Sequence, residues 1–354
     1  MEKNLKELLT KLYRKNYLEK PELLYLLENI TYQNAGLLFA YARETRVKTY
    51  QRKVYLRAVV EFSNYCRNNC WYCGIRRDNT KVERYRLLPE TILACCASAY
   101  QAGYRTLVLQ SGEDGFYTAA VLADLIQTIK KEYPGMAVTL SIGEAPRETY
   151  YRLYQAGADR FLLRHETIAA DLYEKYHPGM NLQQRLRCLK DLKEIGYQTG
   201  AGFIVGLPGQ TNEVLAEELL FLKEFGPDMV GIGPLIPHPE TPLGDSPAGS
   251  VEKTIILLAL IRLLLPEVLL PVTTAVKTLD SYGWEKGLAA GANVIMPVVS
   301  PVECRKKYEI YKNKASADYA ALPAIKSRVE NAGFELDMSR GDHCKRQQPV
   351  GRSG

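Results

Sequence analysis

No apolar leader opens this sequence: Met1-Glu-Lys-Asn-Leu-Lys-Glu7 has neither a hydrophobic region nor a small-residue cleavage site, so an exported protein is not expected. A membrane span is missing too. The longest greasy stretch, Thr254–Pro266, is interrupted by Arg262 and Pro266 before it reaches the roughly 20 residues a bilayer demands, and it reads as a buried helix. No lysine stands in any apolar run between 106 and 300, which excludes an aldolase with a Schiff-base lysine at a strand end. Histidine is scarce, and the first one is His165. With no second cysteine pair either, a four-ligand structural zinc site is disfavoured. Cys95, Cys96, Cys188, Cys304 and Cys344 show no paired spacing, which argues against a disulfide framework and suits a reducing cytoplasm. Charge of one sign is also lacking. The net value is +6, and half of it sits in the last sixteen residues, where Arg340, Lys345, Arg346 and Arg352 oppose only Asp342. The nearly balanced body offers no basic face for nucleic acid.

What the chain does have is three cysteines on one short loop, Cys66-Arg-Asn-Asn-Cys70-Trp-Tyr-Cys73, directly after the extended apolar run Val54-Tyr-Leu-Arg-Ala-Val-Val60. Three thiolates so placed can hold three irons of a cubane cluster and leave the fourth iron open to a small molecule. The three-then-two spacing, the aromatic Tyr72 and the preceding strand agree with one another.

Around that loop the chain is organised as alternating strands and helices. Residues 5–46 read as helices, with stripes at Leu5, Leu8, Leu9, Leu12 and at Leu23, Leu24, Leu26, Leu27, so 1–50 is expected to form an N-terminal helical cap. Strand-like runs follow at 54–64, 106–112, 137–144, 160–166, 198–206, 228–237, 269–275 and 293–300, separated by helical segments such as 89–102, 146–156, 181–195 and 211–224. Eight such units in about 250 residues fit a (β/α)8 TIM barrel, here over 51–315, better than an open doubly wound sheet. A C-terminal helix over 316–338 and a disordered tail over 339–354 complete the expectation.

In such barrels the chemistry collects at the C-terminal strand ends, and here those ends are polar or rich in Gly and Pro. The 137–144 run alternates Val138, Leu140 and Ile142 against Thr139, Ser141 and Gly143, which predicts a lumen with a polar face. In the 160–166 run, period two sets Arg164 and Glu166 on one face, with His165 on the other as a structural histidine. Two charges facing inward need partners: each other, or a ligand's ammonium and anionic groups. Arg185 falls on the apolar stripe of Leu182, Leu186, Leu189 and Leu192 near a helix start, where it needs an anion unless it snorkels to solvent. The Gly200–Gly209 stretch offers close backbone approach, suited to an adenine against Ile204 and Val205, or simply a tight turn.

Together with Gln110-Ser-Gly-Glu-Asp114, Arg164-His-Glu-Thr167, Thr199-Gly-Ala-Gly202, Gly206-Leu-Pro-Gly-Gln-Thr211, Met229-Val-Gly-Ile-Gly-Pro234, Ile236-Pro-His-Pro239 and Gly291-Ala-Asn-Val-Ile-Met-Pro297, the cysteine loop resembles the HydE family of FeFe-hydrogenase maturases, in the biotin synthase-like group of the radical S-adenosylmethionine (SAM) superfamily. The likeness runs from about residue 5 to 315. It implies one 4Fe-4S cluster on Cys66, Cys70 and Cys73, with SAM as co-substrate. It also implies contacts from Ser111 and Glu166 to the SAM amino group, from Arg185 to its carboxylate, and from the backbone at Tyr72 and Ile204 to its adenine. Thr139, Arg160, Arg164, Thr273, Thr274, Met296 and Tyr308 would line the substrate cavity. The implied substrate is a small anionic complex, a cysteine-bound iron carbonyl cyanide precursor of the hydrogenase di-iron subcluster. An Arg-rich entrance at Arg76, Arg77, Arg84 and Arg86 suits such an anion. A reductant such as ferredoxin or flavodoxin and other hydrogenase maturases are the implied partners. Methylornithine synthase, acting on an amino acid, is the nearer competitor and biotin synthase the further one. An iron–sulfur electron carrier, the alternative from another class, would not need Glu166 and Arg185. The sequence departs from some family members in having no cysteines over 305–335 for a second cluster. It also carries Gly209 where the superfamily has an acidic residue.

Overall fold

The computed structural model of the chain describes residues 2–314 and 322–346. Three helices come first, α1 (Glu2–Lys15), α2 (Lys20–Asn29) and α3 (Gly36–Tyr50). A reciprocal capping box between Glu19 and Glu22, with proline in the first turn, starts α2. Strands and helices then alternate as β1 (Lys53–Leu56), β2 (Ala58–Ser63), α4 (Pro89–Gln101), β3 (Thr106–Ser111), α5 (Ala119–Glu132), β4 (Ala137–Ser141), α6 (Arg147–Gln155), β5 (Arg160–Leu162), α7 (Ala170–Tyr176) and α8 (Leu182–Ile195). They continue through β6 (Gln198–Ala201), β7 (Ile204–Val205), α9 (Asn212–Phe225), β8 (Met229–Val230), β9 (Gly233–Pro234), α10 (Val251–Leu264) and β10 (Val294–Ile295). Several helices begin where the side chain of Thr118, Asn181, Thr211 or Ser250 accepts a backbone N–H of the first turn. Both α8 and α9 end on a left-handed glycine, Gly196 and Gly226.

The strands pair in parallel in the order β2-β3-β4-β5-β6-β8. Single parallel bridges then join Met229 to Leu269 and Pro271 to Val294, and β10 pairs with β1 through Tyr55 opposite Val294. This is an α/β fold with a parallel sheet, the sheet's outer side chains (Val138, Leu140, Phe161) packing into the same core as α5, α6 and α8. The N-terminal leucines Leu5, Leu9, Leu12, Leu23, Leu26 and Leu27 belong to that one core too, because α3 lies against α10 and α2 against α9. The greasy 254–266 stretch is the buried helix expected, its Arg262 guanidinium donating to the carbonyls of Gly291 and Pro266 at 2.8 Å each. Among the described residues no helix is long and apolar enough to cross a membrane.

The C-terminal region departs from expectation. Of the helix predicted over 316–338, residues 316–321 lie outside the described residues, and the helix observed is Leu322–Asn331. Gly333, at φ +82°, turns the chain, and β11 (Glu335–Asp337) pairs with β1, Val54 opposite Leu336. Residues 339–346 are not a disordered tail. Their charges, which read as solvating, are taken up by the body: Arg340 pairs with Asp159 at 2.8 Å and Asp342 with Arg160 at 2.5 Å, while the Arg340 carbonyl accepts from Thr106 Oγ1. The segment thus packs against the N-terminal ends of β3, β5 and β6. Residues 347–354 lie outside the described residues.

Candidate active site

The cysteine loop leaves the C-terminal end of β2 and is held by backbone contacts. One guanidinium, that of Arg84, donates to four carbonyls that bracket the loop, those of Asn64, Ile75, Arg76 and Asn79, at 2.5–3.1 Å. Arg86 forms a two-pronged pair with Asp114 at 2.7 and 2.9 Å. These two arginines therefore build the loop and are not free at an entrance for an anion. From β3 the Gln110-Ser-Gly-Glu-Asp114 turn closes against the loop, with Gly112 N–H donating to Ser63 O and Glu113 N–H pointing at Cys66 Sγ, 3.4 Å away. Glycine is required at 112, since a Cβ there would stand 2.2 Å from the Tyr65 carbonyl oxygen. On the far side the Tyr72 hydroxyl donates to His177 Nε2 at 2.8 Å, because His177 Nδ1–H is committed to the Tyr173 carbonyl. Burial holds His177 down at about 4 and hence neutral.

The three cysteines are free thiols in the wall of one cavity, the arrangement that a cubane cluster with one open iron requires. Burial pushes each thiol up, Cys73 to about 12, and mutual repulsion adds to this for Cys70 and Cys73. Three thiolates become tolerable there only with positive charge among them, which iron supplies.

Beneath the loop lies a cavity of about 340 Å³. Thirteen of the predicted site residues meet in its wall: Cys66, Cys70, Cys73, Tyr72, Ser111, Arg164, Glu166, Arg185, Ile204, Thr273, Thr274, Met296 and Tyr308. Ser141 and Gly143 supply the polar face expected of the 137–144 run, and Val205 turns away into the main core. Thr139 and Arg160 do not belong to this wall. Thr139 is 1% exposed and pairs in register with Arg160 one layer deeper. Arg160 points to the opposite end of the strands, onto Thr106, Arg340 O and Asp342. Alternation along a strand assigns a face but not a depth, so both residues face inward, as read, yet miss the cavity.

Arg164 and Glu166 are in ion-pair contact at 2.9 Å, but without the alignment of a hydrogen bond. Arg164 Nε and Nη2, Glu166 Oε2 and Thr273 Oγ1 are all buried with no hydrogen-bond partner among the described residues. Glu166 itself has φ +66°, a conformation uncommon outside glycine and found at sites where the surroundings over-determine it. His165 is the structural histidine expected, buried on Glu218 at 2.7 Å. Arg185 is buried and has a protein anion: Glu144 lies 2.8 Å from its Nε, with Tyr173 OH at 3.2 Å. Burial works against the Arg185 charge, but Tyr173 and Glu144 outweigh it and hold the guanidinium protonated. Glu144 was visible in the sequence only as one more polar strand end. Two further wall residues, Glu61 and Lys314, form a buried ion pair; their separation in the chain hid the pairing.

This geometry, three cysteines over a largely apolar cavity that carries a few half-satisfied polar groups, is that of a radical SAM enzyme, and the radical SAM superfamily profile matches residues 60–222. The chain is 46% identical over 334 residues to the [FeFe] hydrogenase maturase subunit HydE of Thermotoga maritima, covering 93% of this chain and 94% of that one. It is 30% identical over 303 residues to the 3-methylornithine synthase of Methanosarcina acetivorans, covering 84% of each. The crystal structure of methylornithine synthase (PylB) matches with a TM-score of 0.82 at 26% identity, over 93% of this chain and 97% of the other. The chain belongs to the HydE family of hydrogenase maturases. Its cofactors are accordingly a 4Fe-4S cluster and SAM.

Proposed function

We propose that this radical SAM enzyme acts on a small anionic metal complex, the cysteine-bound iron carbonyl cyanide precursor of the hydrogenase di-iron subcluster, inside a closed (β/α)8 barrel. Closure is supported by the bridges Met229–Leu269 and Pro271–Val294 together with the pairing of β10 on β1. The observation that carries the substrate reading is the set of orphaned polar atoms on Arg164, Glu166 and Thr273, buried in one cavity below the cysteine loop. Buried donors and acceptors without partners are costly unless a ligand meets them.

When bound, the cluster supplies the electron that breaks the C5′–S bond of SAM to give a 5′-deoxyadenosyl radical. The chain's residues do the rest by position. Glu166 and Ser111 would take the SAM ammonium, Arg185, beside its partner Glu144, its carboxylate, and the backbone at Tyr72 and Ile204 its adenine. Arg164, with two N–H groups free of hydrogen bonds, and Thr273 hold the anionic substrate below, with Thr274, Met296 and Tyr308 around it. Enclosure keeps water from the radical. Around the loop Arg67 and Arg77 are exposed at 66% and 61% of the side chain, though each already pairs with a carboxylate, Glu113 and Asp78; exposed pairs of that kind are weak enough for an acidic electron donor such as ferredoxin or flavodoxin to compete with. Other hydrogenase maturases are the expected suppliers and receivers of the complex.

The test supplies reduced, reconstituted enzyme and SAM with either the iron complex or lysine, and follows radical capture by paramagnetic resonance and products by mass spectrometry. An adduct on the cysteine sulfur of the iron complex is expected. Rearrangement of lysine to methylornithine with no such adduct would transfer the assignment to the amino-acid reading. The Cys66, Cys70 and Cys73→Ala triple variant should hold none of the roughly four irons of the wild type and cleave no SAM.

A further inference from the structure

At the end of the strands opposite the cavity, three different ligand types converge. A ring nitrogen of His343, Sγ of Cys344 and a carboxylate oxygen of Glu267 all lie within 4.8 Å of one another. Glu267 stands in the turn after α10, just ahead of the Leu269 bridge, whereas His343 and Cys344 belong to the ordered C-terminal segment. The set therefore joins that segment to the body of the fold. His343 is only 7% exposed, and its Nδ1 has no hydrogen-bond partner among the described residues; Asp228 Oδ1 stands 3.8 Å from it, beyond hydrogen-bond reach. A buried imidazole nitrogen left unpaired costs free energy that neither sequence pattern nor packing explains. Tyr50, which donates to the Glu267 carbonyl and accepts from Cys344 N–H at 3.4 Å, fixes the backbones that carry two of the three ligands. An apolar floor of Tyr50, Leu269 and Val294 lies against Cys344.

We propose that Glu267, His343 and Cys344 form a second metal site, for a divalent cation of the zinc class, which fastens the C-terminal segment to the underside of the fold. The donor set decides the class. Thiolate with imidazole disfavours calcium and magnesium, and a mixed sulfur, nitrogen and oxygen set suits a tetrahedral ion with water or Asp228 as fourth ligand. Ligand atoms around such an ion stand about 3.5 Å apart, so side-chain movements of about an ångström complete the site. Among the described residues the competitor for Glu267 is Lys345, 2.6 Å from Oε2. Its side chain is 72% accessible, and an exposed pair of that kind is weak enough for a dication to displace. Because two ligands come from adjacent residues of the segment and one from the body, metal binding and docking of the segment are one equilibrium.

The experiment uses cluster-loaded holoprotein equilibrated anaerobically with zinc chloride and then desalted. Elemental analysis should find about one zinc per chain, and zinc-edge X-ray absorption a shell with one sulfur and the rest nitrogen or oxygen. His343→Ala and Cys344→Ser should bind zinc at least tenfold more weakly, and Cys304→Ser as tightly as the wild type. Zinc should also slow proteolysis beyond residue 338 in the wild type alone. Equal zinc in wild type and Cys344→Ser overturns the proposal, as does a shell of three sulfurs, which would place the ion on the cysteine loop. If the Cys344 or His343 variants do not fold, Glu267→Gln decides, since it keeps the carbonyl that Tyr50 holds; zinc retained in full there is equally fatal.

Discussion

Arg160 and Arg164 stand four residues apart on one strand run, and the protein treats them in opposite ways. Arg160, fully buried, is saturated by the chain itself: Nη2 donates to Arg340 O and Asp342, Nη1 to Thr106, and Nε approaches Gln198. Arg164 has one anion at 2.9 Å in poor alignment, and its Nε and Nη2 have no hydrogen-bond partner. At one end of the strands the fold closes a cation off; at the other it holds one half-satisfied. Unmet donors on a buried guanidinium are costly, and at Arg164 they face the cavity, which is what the proposed ligand would meet. The difference is one between these two residues and not between whole ends of the fold, since Arg57, buried near Arg160, also keeps Nε and Nη2 without hydrogen-bond partners among the described residues.

The comparison breaks most visibly at Arg160. Replacing it by alanine takes the Arg160 guanidinium from the Asp342 carboxylate and empties a fully buried volume, for an expected loss of about 3 kcal/mol of stability. Thermal unfolding of the anaerobic holoprotein, with proteolysis read beyond residue 338, checks this; Arg160→Lys should recover part of the loss. A change below about 1 kcal/mol would mean that the two arginines are not differently held.

What the sequence made legible was local. Cysteine spacing, capping residues and the polar ends of strands each depend on a few neighbours, and the helices from Pro89, Asn181 and Thr211 begin within a residue or two of where they were read. Height along the strand was not legible, because period two repeats identically from floor to ceiling, so alternation offered no check on the resemblance that set Arg160 and Thr139 in the cavity wall. The ordered segment 339–346 was hidden for a different reason. Its charges look solvated until Asp159, Arg160 and Gln198, distant in the chain, are folded beside them. The same long range hid the partnering of Arg185 by Glu144, which a stripe on one helix shows only as a need.

A smaller effect tests the neighbour of the cysteine loop. His177 is held down at about 4 against an ordinary 6.5, chiefly by burial, so between those values the unfolded chain binds a proton that the folded one refuses. Stability is therefore complete above about pH 6.5 and falls as the pH drops toward 4. The shift of 6.5 − 4, about 2.5 units, makes the loss about 3 kcal/mol at most. His177→Gln keeps a neutral acceptor for Tyr72 and removes this proton. The difference in stability between wild type and variant, measured by denaturant unfolding at pH 7 and pH 4.5, should shift by about 2–3 kcal/mol in the variant's favour. Carboxylates titrating in the same window affect both proteins and cancel. A difference that does not change with pH would show that the His177 site opens to water instead of staying sealed beside the loop.

The smallest expected change in stability sharpens the comparison furthest. Arg164→Ala removes a guanidinium whose only anion contact among the described residues is an unaligned pair, with 27% of the side chain accessible, and such pairs contribute about 0–1 kcal/mol. Folding, iron content and SAM binding should stay close to wild type. The anionic substrate, by contrast, would lose a charge-assisted contact of about 1.5–3 kcal/mol, or ten- to a hundredfold in affinity. Reductive SAM cleavage should persist while substrate adducts decline, because the radical then forms with nothing positioned to receive it. A stability loss matching that of Arg160→Ala, with substrate affinity unchanged, would make Arg164 a second structural arginine. The orphaned donors at the cavity would then have to be met by rearrangement of Glu166, whose Oε2 is the only carboxylate oxygen within salt-bridge distance of Arg164 among the described residues.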